Sequence, residues 1–133
     1  MLTYVPIKGH SIPMANKGKW LDVYIYEPAR KELLKWPIAV KKDLGSILTK
    51  LQKLEPVGLP DIDSMRSVSP GCSEVRLKDS TGIYRAFFVI ETEYGILLFH
   101  SFKKKTQKTP QKEIDTAKKR LKAFLEELEN EKN

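Results

Sequence analysis

The stretch from Arg76 to Pro110 leaves the chain few folds to choose from. It reads R-L-K-D-S-T-G-I-Y-R-A-F-F-V-I-E-T-E-Y-G-I-L-L-F-H-S-F-K-K-K-T-Q-K-T-P. Two β-branched and aromatic runs lie inside it, at 83–91 and 95–102, and a third at 72–79 leads in. Ser80-Thr81-Gly82 and Thr92-Glu93-Tyr94-Gly95 separate them. These turns are too short for a crossover, so consecutive runs must pair antiparallel. A three-stranded meander follows. It ends in the basic run 103–108, after which Thr109 and Pro110 supply a cap and a first helical position.

The remaining segments supply cover for that sheet. Trp20–Tyr26 reads as a further strand, with Leu21, Val23 and Ile25 on one face and Trp20, Tyr24 and Tyr26 on the other. Pro28 suits the first turn of a short helix carrying Ala29, Leu33 and Leu34 up to Trp36. Pro37 breaks that helix and starts another, where Val40, Leu44, Ile47, Leu48, Leu51 and Leu54 recur at helical spacing. Lys41, Lys42, Lys50 and Lys53 lie on its outer face, the usual place for solvated charge. Residues 55–71 hold prolines and glycines and read as a loop. Residues 110–131 form a last helix with Ile114, Ala117, Leu121, Phe124, Leu125 and Leu128 as its apolar stripe. The expected order is β-α-α-β-β-β-α, an α+β fold with an antiparallel sheet packed on a helical hairpin. Residues 1–19 read as an accessory arm and 20–133 as one domain, in keeping with a 133-residue chain.

Composition narrows the partners. A formal net charge of +7 favours a polyanion: nucleic acid, an acidic protein or an anionic membrane surface. The single cysteine, Cys72, excludes an intrachain disulfide and a cysteine zinc cluster. No apolar run approaches the roughly 20 residues that span a bilayer. Lys8, Gly9 and His10 interrupt any signal-like segment, so a cytoplasmic protein is expected. No P-loop, metal-ligand spacing or nucleotide-binding glycine pattern is present, and no metal or cofactor is expected.

Alternation across the strands sorts the candidate site residues. Glu74, Arg76 and Lys78 share one face of their strand, with Val75 and Leu77 on the other. Tyr84, Ala86, Phe88 and Ile90 form an apolar face, and Arg85 lies opposite with Phe87 and Val89. An arginine among apolar neighbours in a central strand needs an anion. Glu74 or Glu91 supplies one on a structural reading, and a bound phosphate supplies it on a functional one. Glu74 is also a possible carboxylate base, with ion pairing the blander role. His100 shares a face with Leu98 and Phe102 under strict alternation and reads as a core histidine, unless a bulge turns it toward the groove. The run 103–108 reads either as a solvated loop or as an anion site at a helix N-terminus.

The pattern Gly71-x-x-Glu74-Val75-Arg76, Ile83-Tyr84-Arg85 and Leu97-Leu98-Phe99-His100-x-Phe102-x-Lys104-Lys105-Thr106-x-Lys108-Thr109-Pro110 resembles the phage-derived branch of RelE/HigB-type toxins. The resemblance runs from about Trp20 to Leu128, and the Lys-Lys-Thr-x-Lys-Thr-Pro block is its most specific part. It implies a compact microbial-ribonuclease-like fold, cleavage of mRNA, usually on the ribosome, and neutralisation by a small helix-turn-helix antitoxin. The implied chemistry is metal-independent attack of a ribose 2′-OH on the adjacent phosphate. Arg85 and Arg76 then stand as phosphate stabilisers, Lys104 and His100 as further catalytic candidates, and Lys78, Lys103, Lys105, Thr106 and Lys108 as RNA-binding residues. Some RelE relatives place a tyrosine or histidine after the sheet, where this chain has lysines. The rivals are a non-catalytic ParE-like gyrase inhibitor on the same scaffold and a basic nucleic-acid-binding module.

Overall fold

The computed structural model describes residues 20–106 and 108–131, so the arm 1–19 lies outside the described residues. The elements run β1 (Val23–Ile25), α1 (Glu27–Leu33), α2 (Ile38–Gln52), β2 (Ile62–Ser64), β3 (Ser73–Asp79), β4 (Gly82–Glu91), β5 (Gly95–Lys104) and α3 (Gln111–Glu131). The meander forms as expected, with β3, β4 and β5 paired antiparallel. The five strands lie in the order β1-β5-β4-β3-β2.

Two features depart from the expected architecture. β2 lies inside the stretch expected to be loop, pairing Ile62 with Val75 and Ser64 with Ser73. At three residues it is too short to show a period of its own. The sheet is also mixed. β1 pairs parallel with β5, Val23 opposite Ile96 and Ile25 opposite Leu98. The helical hairpin carries the chain from one sheet edge to the other, which leaves β1 running beside the last strand.

The alternation read from the sequence sets the two faces. One core lies between the sheet and the hairpin, where Val23, Ile25, Val75, Leu77, Tyr84 and Ala86 meet Ala29, Leu33, Val40, Leu44 and Leu48. The other lies under α3, where Tyr26, Phe87, Val89, Leu97 and Phe99 meet Ala117, Phe124 and Leu128. The sheet is therefore covered on both sides, not by the hairpin alone. Leu34, expected on the apolar stripe, is exposed beyond the end of α1. No helix among the described residues is long and apolar enough to cross a membrane.

Backbone contacts fasten β1 at its edge. Leu21 N–H donates to Gln52 O at 2.8 Å, and the buried Gln52 side chain donates back to Leu21 O at 2.9 Å. Ile96 N–H donates to Asp22 O at 2.9 Å. Gly95 sits against that junction with φ +122°, and a Cβ there would meet Asp22 O at 2.5 Å. Gly95→Ala should therefore lower stability by about 1–3 kcal/mol, the usual range for strain of this kind. Urea unfolding checks it, and an unchanged midpoint would show that the junction yields freely.

Candidate functional site

The site residues come from three adjacent strands. Cross-strand pairing sets Arg76 opposite Arg85, Glu74 opposite Phe87, and Phe102 opposite Arg85. All these side chains project to the α3 side of the sheet, beyond the apolar patch that the helix covers. Lys104, two residues past Phe102, lies on the same face.

Glu74 is the buried acid amid this group of bases. Its Oε1 stands 3.5 Å from Arg85 Nε, and its Oε2 stands 3.8 Å from Arg76 Nε. Asp63 on β2 gives Arg76 a second, more exposed partner at 3.9 Å. Arg85 is 4% exposed, Lys104 6% and Glu74 8%. The Arg85 guanidinium donates to Tyr84 O at 3.1 Å. Among the described residues, neither Glu74 Oε1 nor Arg85 Nε has a hydrogen-bond partner. The ion pair is thus held by charge at a distance beyond hydrogen-bond contact, an expensive arrangement for buried groups.

Burial governs the protonation behaviour of the cluster. It pushes the Glu74 carboxyl above its ordinary range, against the pull of Arg85, Arg76 and Lys104. Burial also holds the Lys104 ammonium below the usual lysine value, with Arg85 and Arg76 adding to the effect and Glu74 opposing it. Lys104 Nζ donates to the Thr109 hydroxyl at 3.1 Å, so the residue expected to cap α3 ties the basic run to the helix start. Lys78, Lys103, Lys105, Thr106 and Lys108 are exposed around this centre. Lys103 projects to the other face, with Nζ 5.6 Å from the Tyr84 ring centroid.

A cleft of about 510 Å³ opens at the end of α2 nearest this strand edge, with Asp43, Ser46, Lys50, Asp61 and Lys78 in its wall. It meets the cluster at Arg76 and Arg85, whereas Glu74 and Lys104 lie outside it. Arg76 and Arg85 are thus common to the cluster and the cleft wall.

His100 occupies a different place from the one strict alternation gives. The register shifts between Phe87 and Phe88: Phe87 faces His100 while Phe88 faces Leu98. The extra residue, Phe99, reverses the alternation, and His100 turns to the α3 side without Leu98. There it is buried against the Phe87 and Phe102 rings, at centroid distances of 5.7 and 5.3 Å. Arg120 donates to Nδ1 at 2.8 Å, and Nε2 lies 2.9 Å from Glu113 Oε1. An arginine can only donate, so Nδ1 is the acceptor and the Nε2–H donates to Glu113. His100 is thereby a neutral link between the sheet and α3. Phe87, Val89 and Phe102 are likewise core residues under α3. Glu113 and Arg120 were not singled out in the sequence. Their i,i+7 spacing on one helix face was the available signal.

Burial lowers the His100 pKa below 6.5, and Arg120 adds to this while Glu113 opposes it. The unfolded chain therefore binds the proton more readily. The stabilisation is fully present above the unfolded value of about 6.5 and is lost as pH falls from there toward the folded value. Urea midpoints should drop between about pH 7 and pH 5, and His100→Gln should flatten that slope. An identical slope in the variant would assign the loss to other groups.

Three comparisons bear on this arrangement. The model of the family described as phage derived protein Gp49-like (DUF891) matches residues 31–122. A solved structure of a mutant of the E. coli toxin RelE in its free state is similar in fold, with a TM-score of 0.55 and 19% sequence identity. The match covers 80% of this chain and 98% of that one. No curated protein matches the sequence.

Proposed function

Since the chain belongs to the phage-derived Gp49-like family, which is of the RelE/HigB toxin type, we propose that it is the toxin of a toxin–antitoxin pair and acts by cutting mRNA, on the ribosome. The observation that carries the reading is the convergence of Arg76, Arg85 and Lys104 on one sheet face, with a single carboxylate between them. That leaves a surplus of positive charge where a phosphodiester would be bound.

The reaction is attack of a ribose 2′-OH on the neighbouring phosphorus, with departure of the 5′-oxygen. The 2′-OH gives its proton to water and its oxygen bonds to phosphorus as the bond to the 5′-oxygen breaks, leaving a 2′,3′-cyclic phosphate and, once the 5′-oxygen is protonated, a 5′-hydroxyl. Negative charge grows on the non-bridging oxygens, and Arg76 and Arg85 are the groups suited to stabilise it. Lys104 has a proton that is easier to release than that of an ordinary lysine, which suits it to donate to the leaving oxygen. Lys78, Lys105, Thr106 and Lys108 are exposed donors for flanking phosphates, and Lys103 serves from the neighbouring face. His100, with both ring nitrogens engaged, supports the site through α3.

Purified protein, RNA and ribosomes test this directly. The parent chain should generate cut RNA ending in 2′,3′-cyclic phosphate, and Arg85→Ala should lose about 100- to 1000-fold in rate. Arg85→Lys should fail similarly if the planar fork matters. Growth arrest without RNA cleavage would favour the gyrase-inhibitor alternative. Salt-sensitive binding with neither effect would favour the nucleic-acid-binding module.

Inhibition should come from another chain. The exposed cationic residues fit a partner segment rich in acidic side chains, and the family type points to a small DNA-binding antitoxin. Co-expression with the adjacent small gene should yield a complex and restore growth. Failure of both would remove the antitoxin from the reading.

A further inference from the structure

Glu74 stands where an anion would be bound. Three cations face it, from its own strand (Arg76), from β4 (Arg85) and from β5 (Lys104). Yet its distances to the two guanidiniums, 3.5 and 3.8 Å, are those of loose ion pairs. Its Oε1 and the facing Arg85 Nε are both buried without a hydrogen-bond partner among the described residues. A carboxylate that served only to anchor Arg85 would be expected to form the bidentate contact that an arginine fork and a carboxylate readily make. Instead the cluster keeps an excess of positive charge and an unused donor, both aimed at the volume the carboxylate fills.

We infer that Glu74 is the resident counter-anion of the phosphate site, and that a phosphodiester binds there in exchange for its negative charge, with Glu74 taking up one proton. This deepens the proposed reading of the cluster as a phosphate site and rests on it. The physical reason is that two anions cannot share one partly buried set of cations without strong repulsion. The phosphodiester does not titrate near neutrality, so the proton must go to the carboxyl. Burial already moves Glu74 toward accepting it. A neutral Glu74 then offers an O–H donor to a phosphate oxygen, adding to the donors of Arg76 and Arg85. With no substrate, the carboxylate neutralises part of the buried charge and keeps the site folded.

The other charged and titratable groups facing Glu74 are few. The Arg76 and Arg85 guanidiniums stay charged at all relevant pH values. The buried Cys72 thiol is pushed up to about 12 and stays protonated. Asp63 reaches Glu74 through Arg76 on the β2 side. Lys104 loses its proton on the alkaline side, in a direction that also weakens binding as pH rises. Glu74→Gln keeps Lys104 but removes the carboxylate that supports its charge, so Lys104→Arg, which keeps the charge without titrating, is measured beside it to separate the two.

The test uses the full chain and a short fluorescein-labelled oligodeoxynucleotide, which has phosphodiesters but no 2′-OH to react. Affinity of the parent should rise as pH falls from about 7.5 to 5.5, approaching tenfold per unit where one proton is taken up. Glu74→Gln should bind more tightly than the parent at the upper end and lose most of this slope. Asp63→Asn should keep it. Calorimetry of the parent in two buffers of different ionisation enthalpy should show proton uptake on binding, and this arm decides the matter if Glu74→Gln does not fold. Binding without proton uptake overturns the inference, as does a Glu74→Gln protein that binds more weakly with an unchanged slope. If neither protein binds the oligonucleotide at any pH, the phosphate-site reading itself fails and takes this inference with it.

Discussion

The Glu74–Arg85 pair is the constraint around which the working face of this protein is arranged. Arg85 sits in the central strand of the meander, where an unpaired guanidinium would be intolerable, and Glu74 is the nearest anion. Breaking a buried pair of this sort by removing one partner typically costs about 3–5 kcal/mol, because the survivor keeps its charge without compensation. Glu74, with the more exposed Asp63 beside Arg76, still leaves three cations facing two carboxylates. The cluster is therefore stable enough to fold and still electropositive, the combination an anion site requires. An apolar replacement of the pair could satisfy the fold as well, but would take Arg85 out of the cluster.

The fold was legible where periodicity was long and illegible where it was short. Strands β3, β4 and β5 and helices α2 and α3 each repeat their apolar residues often enough to reveal their type. β2 presents only Ile62 to the core, and its pairing depends on a neighbour remote in sequence. The parallel edge is equally non-local: nothing in Trp20–Tyr26 says which strand it will meet, and that choice follows from how the helical hairpin crosses the sheet. Leu34 shows the same limit on a smaller scale, since an apolar residue at the end of a helix is buried only if the next element continues over it.

The candidate site was legible in its chemistry and partly hidden in its geometry. Simple alternation grouped Glu74, Arg76 and Lys78 on one strand and Arg85 with Phe87 and Val89 on the next, and cross-strand pairing sets Arg76 opposite Arg85 and Glu74 opposite Phe87. It failed at His100, because a single extra residue, Phe99, inverts everything after it. The inversion also carries Lys104 to the α3 side and Lys103 to the other, so the basic run is divided between two faces. Sequence reading treated that run as a unit. In the structure one of its lysines is buried beside two arginines while its neighbours face solvent.

That division links Lys104 to the placement of α3. The bulge turns His100 under the helix, where Glu113 and Arg120 engage both ring nitrogens. Further along the same strand, Lys104 reaches Thr109, just before the helix begins. The helix is thus tied to β5 at Lys104 and at His100. Lys104 is buried there, where desolvation and the two guanidiniums act on it. His100 and Lys104, four residues apart on β5, are thus both tied to α3 or its approach: one through Glu113 and Arg120, the other through Thr109.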